Sequence, residues 1–113
     1  MKILLLNPNM TQAMTDNMAA IARAVVGDMA EIIPVTATRG FPYIASRAEA
    51  QIAGGIVLEM IAEHASTVDA VVIAAFGDPG LRGARDLFDL PVVGMAEASV
   101  MTAALLGESF AVV

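Results

Sequence analysis

The sequence predicts an α/β fold built on an open parallel sheet with helices on its faces. Short apolar runs alternate with longer stretches of helical period, the pattern of parallel strands joined by crossover helices. One run, Ala70 to Ala75, is apolar throughout, as a central strand covered on both faces must be. The runs ending at Leu6 and Ala75 stop at turns rich in Asn, Gly or Pro, where the chain can leave the sheet.

The first strand is expected over Lys2 to Leu6. A helix follows, capped by Asn9 or Thr11, with Met14, Met18, Ile21, Ala22 and Val25 on its inner face and an end near Gly27. Glu31 to Thr36 reads as a second strand. The loop Thr38 to Ser46 carries Gly40, Pro42 and Tyr43 and leads to a helix beginning near Arg47, with Ile52, Ile56, Met60 and Ile61 as its buried stripe and Arg47, Glu49, Glu59 and Glu63 toward solvent. After the third strand, Asp78 reads as a helix cap with Pro79 at the first helical position, and Leu81, Ala84 and Phe88 face inward. Pro91 to Met95 is a fourth strand, Glu97 to Leu106 a last helix closed by Gly107, and Phe110 to Val113 the start of a fifth strand. The expected strand order is 2-1-3-4, which brings the loops after strands one and three together.

Composition narrows the function. With 113 residues and 58% hydrophobic side chains, the chain suits one small domain with a substantial core. Six Lys and Arg against twelve Asp and Glu give a net charge of −6, which argues against a phosphate-backbone partner and does not attract acidic ligands overall. The apolar start, Met1 to Leu6, is broken at once by Asn7-Pro8-Asn9, unlike a secretory signal, and no run approaches the ~20 apolar residues of a membrane span. A cytoplasmic location without membrane contact is expected. There is no cysteine and a single histidine, so disulfides, thiolate metal sites and a redox pair are excluded, and no metal or other cofactor is expected. His64 is expected to be solvated at a helix end, and the eight methionines read as packing.

Ligands of open parallel sheets sit beyond the carboxyl ends of the strands. Three loops qualify: Asn7 to Asn9, Gly40 to Tyr43, and Ala75 to Gly80. Asn7 and Asn9 carry amides that donate and accept, suited to orienting a carbonyl or ring N–H; they serve equally as turn and cap residues around Pro8. The turn after strand three offers the backbone N–H groups of Phe76, Gly77 and Asp78 at a helix mouth, where developing negative charge is favoured. Asp78 is read as a cap before a ligand group. Tyr43, the only tyrosine, faces the same end, as a ligand contact or as a partly buried packing residue. Glu97 is either a ligand group or an acid favoured by position at a helix N-terminus.

The segments Ile3-Leu4-Leu5-Leu6-Asn7-Pro8-Asn9 and Val71-Val72-Ile73-Ala74-Ala75-Phe76-Gly77-Asp78-Pro79-Gly80-Leu81 resemble the aspartate/glutamate racemase superfamily, and within it the hydantoin and allantoin racemases. Pro42-Tyr43 and Gly94-Met95-Ala96-Glu97-Ala98 also match motifs of that family. The resemblance implies a flavodoxin-like fold and two pseudo-symmetric halves with the site between them. It divides the chain into an α/β domain over 1–108 and, over 109–113, the first strand of a second half. It further implies cofactor-independent racemisation of a cyclic ureide by two-base proton transfer. Asn7, Tyr43, Phe76 and Gly77 would bind substrate, with Pro8, Asn9, Asp78 and Glu97 as further candidates.

Ala75 departs from the pattern: it occupies the position of the family's catalytic cysteine, and the resemblance implies a second half that this sequence does not contain, so this chain is expected to be inactive. Met10 stands where the family usually has a small hydroxyl residue. Two alternatives are an aspartate or glutamate racemase relative and a non-catalytic domain binding a small ligand. The first is disfavoured by Asn7-Pro8-Asn9 in place of an acidic-serine turn, and by Phe76-Gly77 in place of a polar pair. The partners expected are a small-molecule substrate and further copies of the chain, whose exposed cleft wall favours self-association.

Overall fold

A computed structural model describes residues 1–113. In chain order the elements are β1 (Lys2–Asn7), α1 (Gln12–Val26), a short 3-10 turn (Gly27–Met29), β2 (Glu31–Thr36), α2 (Arg47–His64), β3 (Ala70–Ile73), α3 (Leu81–Leu87), β4 (Val92–Gly94) and α4 (Met95–Leu106). All three strand pairings are parallel and the order is β2-β1-β3-β4, as expected. In the register Leu6 lies beside Val35 and Ile73, so the turns after β1 and β3 leave the sheet side by side. Pro34 sits in β2, an edge strand, where a missing N–H is tolerated.

The period of two along β1 sorts the core. Leu4 and Leu6 point to one face and join Val57, Ile61, Val71, Ile73 and Ala84 under α2 and α3. Leu5 points to the other and packs with Ala19, Ile32 and Ala74 under α1. Both faces of β1 are thus covered, which explains its unbroken run of leucines. Truncating Leu4 or Leu6, each without exposed surface, would cost about 2–5 kcal/mol.

Two helical stripes differ from expectation. On α1 the buried residues are Thr15 and Ala19, with Met18 and Ala22 half-buried, while Ile21 and Val25 face solvent and Met14 is partly exposed. Small side chains let this helix approach the sheet, and the Thr15 hydroxyl is drawn inward by polar partners described below. On α2 the expected Ile56, Met60 and Ile61 are buried, but Ile52 is 53% exposed and Ala53, Gly54 and Val57 complete the face. Gly54 is there because the turn before α3 comes close: an added Cβ would lie 3.2 Å from the Gly80 nitrogen.

Further differences are local. β3 ends at Ile73 and β4 spans only Val92–Gly94, so α4 begins at Met95, two residues earlier than expected. Residues 107–113, which include the expected start of a fifth strand, form no strand and are exposed. His64 is half-buried, its Nδ1 2.9 Å from the Met60 carbonyl oxygen. No helix is long and apolar enough to cross a membrane.

Candidate active site

The carboxyl end of the sheet is organised by Asn7. It has no exposed surface. Its Nδ2 donates to Asn9 Oδ1 and Thr15 Oγ1, both at 3.0 Å, and lies 3.4 Å from the Thr11 carbonyl oxygen. Its Oδ1 accepts from the Asn9 backbone N–H at 3.1 Å, closing a local turn across Pro8. Asn7 is absent from the cleft lining, its side chain engaged in holding the turn, whereas Asn9 lines the cleft. The Oδ1 of Asn9 accepts from Asn7 and from the Thr11 backbone N–H at 3.0 Å, while its Nδ2 has only the weakly accepting Met14 sulfur at 3.6 Å. Pro8 is buried beneath the turn. The N-cap of α1 is Thr11, by backbone position without a side-chain cap.

Thr11 also anchors the loop that carries Tyr43. Its hydroxyl donates to the Pro42 carbonyl oxygen at 2.6 Å, and the Met10 backbone N–H donates to the Phe41 carbonyl oxygen at 2.9 Å. The far end of the loop is fixed by a capping box. Ser46 Oγ accepts from the Glu49 N–H at 3.2 Å, and Glu49 Oε2 accepts from the N–H groups of Ser46 and Ala45 at 2.9 and 2.6 Å. Ser46-x-x-Glu49 is a legible signature that the expected solvent role of Glu49 overlooked. Between these anchors Tyr43 stands 67% exposed at the cleft, with no hydrogen bond to the rest of the chain.

The turn after β3 supplies the opposite wall. Ala74 donates its N–H to the Leu6 carbonyl oxygen at 2.7 Å, the last link to the sheet. Gly77 and Asp78 then take positive φ of 104° and 50°. The N–H groups of Ala75, Phe76 and Gly77 find no acceptor within the chain, whereas that of Asp78 donates to the Ala75 carbonyl oxygen at 3.0 Å. Phe76 and Gly77 thus remain as donors beside the cleft and Asp78 leaves the set.

Asp78 does not cap the helix that follows it; the N-cap of α3 is Gly80, with φ of 78°. The Asp78 carboxylate reaches instead to the N-terminus of α4, accepting from the Ala96 and Glu97 N–H groups at 2.8 and 2.7 Å. Those are two of the donors a helix start leaves unpaired, and the positive end of the helix favours the charge. Gly94 makes the approach possible, because a Cβ there would lie 2.3 Å from Asp78 Cγ. Glu97 is likewise engaged away from the cleft. Arg85 Nη1 and Nη2 donate to its two carboxylate oxygens at 3.1 and 2.5 Å, and Arg85 Nε donates to the Val92 carbonyl oxygen at 3.0 Å. The hydrogen bonds from Arg85 hold the Glu97 carboxyl below the usual carboxylate range, and those to Glu97 raise the guanidinium above its ordinary value.

What these elements enclose is a cleft of about 270 Å³ lined by Asn9, Met14, Met18, Tyr43, Ile44, Ala50, Ala74, Ala75, Phe76, Gly77, Pro79 and Met95. Of the expected site residues it gathers Asn9, Tyr43, Ala75, Phe76 and Gly77, and leaves out Asn7, Pro8, Asp78 and Glu97. No carboxylate, imidazole, thiol or cationic side chain lines it. The wall can donate hydrogen bonds to a neutral or developing oxyanion and can pack an apolar group. It has no side chain, other than the Tyr43 phenol, that can move a proton.

The family described as Asp/Glu/Hydantoin racemase matches residues 3–113. The hydantoin racemase of Pseudomonas sp. (strain NS671) is 40% identical over 114 residues, covering the whole of this chain and 46% of that protein. The hydantoin racemase of Paenarthrobacter aurescens is 36% identical over 115 residues, again across the whole chain and 49% of that protein. Among solved structures, an allantoin racemase from Klebsiella pneumoniae superposes with a TM-score of 0.86 at 44% identity, over 92% of this chain and 43% of that one. The allantoin racemase of Pseudomonas fluorescens gives a TM-score of 0.92 at 33% identity, over 97% and 47%. The chain spans about half the length of the relatives it matches. A parallel β2-β1-β3-β4 sheet whose adjacent turns frame a small uncharged cleft, matched along nearly its whole length by these proteins, places the chain in the Asp/Glu/Hydantoin racemase family.

Proposed function

We propose that this chain forms one wall of the substrate cleft of a cofactor-independent racemase acting on a five-membered cyclic ureide of hydantoin or allantoin type, and that in this form it does not catalyse proton transfer. The observation that carries the reading is the position of Ala75, in the cleft wall beside the unpaired N–H groups of Phe76 and Gly77. Racemisation at the carbon between a ring carbonyl and a ring nitrogen needs one group to remove the proton from one face and another to deliver a proton to the other. As the proton leaves, charge gathers on the carbonyl oxygen, and donors already in place stabilise it without reorganising. Phe76 and Gly77 supply such donors, and Asn9 Nδ2 and the Tyr43 hydroxyl orient the ring's polar edge. A thiol at position 75 would sit in the same field and gain thiolate character. Alanine has no titratable atom.

The uncharged lining favours a neutral ring over an amino-acid substrate. Aspartate or glutamate carries an ammonium and a carboxylate on the reacting carbon itself, and these would need charged partners at the cleft. The test follows deuterium incorporation at the ring carbon of a chiral 5-substituted hydantoin by NMR, together with the backbone amide shifts of the protein. Exchange at the buffer rate, with the Phe76 and Gly77 amides moving on titration, is the expected result. Exchange above that rate overturns the inactivity, and unmoved amides overturn the cleft assignment.

A further inference from the structure

Of the arginines, Arg23 donates to the Ile32 carbonyl oxygen, Arg39 pairs with Glu59, and Arg85 pairs with Glu97. Arg47 and Arg82 have no acceptor anywhere in the chain, although acids outnumber bases by twelve to six. Both line one groove of about 730 Å³ between α2 and α3, with Gln51 beside them and Gly54, Gly77, Gly80 and Gly83 bare of side chains along it. The groove shares Ala50, Gly77 and Pro79 with the cleft, so the two are continuous around the turn after β3.

One carboxylate borders this groove, that of Asp78, and it is turned away onto the N-terminus of α4. Glu97 borders the adjoining surface with Arg82, but both of its oxygens are taken by Arg85. The two guanidinium groups therefore have no hydrogen-bonded acid of their own, in a chain whose net charge of −6 otherwise repels anions. The groove's one carboxylate is committed to α4, and Glu97, which feels the charge of Arg82, is committed to Arg85. A guanidinium presents a planar fork of donors matched to a carboxylate.

From this arrangement we infer that the groove is a subsite for a carboxylate carried on the substituent of the ring bound in the cleft. The inference rests on the function proposed above. It gives the site two ends: an uncharged end at Ala75, where the reacting carbon lies, and a cationic end at Arg47 and Arg82, where an acidic side chain is held.

The test uses three probes on the 113-residue chain: 5-methylhydantoin, hydantoin-5-acetate and malonate. Binding is followed in the backbone amides of Phe76 and Gly77 and in the arginine Nε–H signals. Hydantoin-5-acetate should bind about tenfold more tightly than 5-methylhydantoin at low salt, the gain falling as salt screens the exposed charges. Arg47→Gln with Arg82→Gln should remove that gain and leave 5-methylhydantoin unchanged. Equal affinities for the two rings, or a gain that survives both substitutions, overturn the subsite. If malonate moves the two arginines in the native chain while neither ring moves Phe76 and Gly77, the ureide reading fails and the carboxylate site stands. Arginine signals that respond to neither carboxylate overturn the site itself.

Discussion

Gly94→Ala is expected to be among the most damaging single-methyl additions in the chain, although alanine would be comfortable with the backbone there. Gly94 has φ −92° and ψ 138°, ordinary extended geometry, so glycine is required for space alone. Its Cβ would lie 2.3 Å from Asp78 Cγ and 2.4 Å from Oδ2, and the carboxylate must leave. With it go the bonds to the Ala96 and Glu97 N–H groups at 2.8 and 2.7 Å. Hydrogen bonds to a charged group contribute about 1.5–3 kcal/mol each, and loss of a helix cap costs about 0.5–2 kcal/mol; water recovers part of the difference at this half-buried site. A loss of about 2–4 kcal/mol follows, a large share of the ~5–15 kcal/mol that holds a small domain together. Asp78→Ala removes the same two bonds and should cost a similar amount. In its background the three atoms nearest the methyl at 94 are gone, so the double variant should be only slightly worse than either single one, with a coupling of about 2 kcal/mol. Urea unfolding of the four proteins measures the cycle. Additivity within about 0.5 kcal/mol would mean that Asp78 and Gly94 act independently, and the distal cap would be wrong.

Gly80→Ala and Gly27→Ala both place a side chain at positive φ, which costs about 1–3 kcal/mol, but only at Gly80 does the new Cβ also meet backbone, 2.8 Å from the Gly54 oxygen. Gly80→Ala should exceed Gly27→Ala by about 1–3 kcal/mol in urea unfolding, and equal costs would mean that α2 and the turn before α3 are not tightly apposed. Because Arg85 holds the folded-state pKa of Glu97 below its unfolded value, this pair's contribution is fully present above the unfolded carboxyl range and is lost as pH falls through the lowered value. Arg85→Gln should therefore flatten the acid limb of stability against pH, and an unchanged limb would show that the pair does not couple to folding. Tyr43→Phe should weaken hydantoin binding several-fold while moving unfolding stability by less than about 0.5 kcal/mol, since the ring is exposed and its hydroxyl has no partner in the chain; unchanged binding would remove Tyr43 from the site.

The sheet was legible because its signals are long and mutually consistent. Four apolar runs separated by helical stretches leave few parallel arrangements, and the order β2-β1-β3-β4 is as expected. Helix faces were less legible. Reading α1 by bulk favours Met14, Ile21 and Val25, but the face against the sheet is chosen by what fits close to it. Ala19 permits a near approach, and Thr15 Oγ1 bonds to Asn7 and lies 2.6 Å from Thr36 Oγ1. Hydrophobic periodicity carries no record of a polar network that crosses three elements. The same blindness leaves Asn7 and Asn9 undistinguished. Both offer the same amide, and only the folded geometry shows that one is consumed by the turn while the other lines the cleft with its Nδ2 on the Met14 sulfur alone.

Asp78 followed by Pro79 reads as a local cap, because sequence rules assign a cap to the helix that comes next. In the fold the carboxylate serves a helix that starts seventeen residues later, through a gap left by Gly94. The consequence reaches the cleft. The turn carrying Ala75, Phe76 and Gly77 is held from beyond itself, by Asp78 on α4 at one end and by the Ala74 N–H on the Leu6 carbonyl oxygen at the other. No hydrogen bond from the side chain at position 75 shapes it, since alanine has none to give. The backbone donors around that position are thus set by the frame and not by the residue that occupies it. On the function proposed above, exchanging a thiol for a methyl there would remove a proton carrier and leave the cleft wall, its amides and its shape in place.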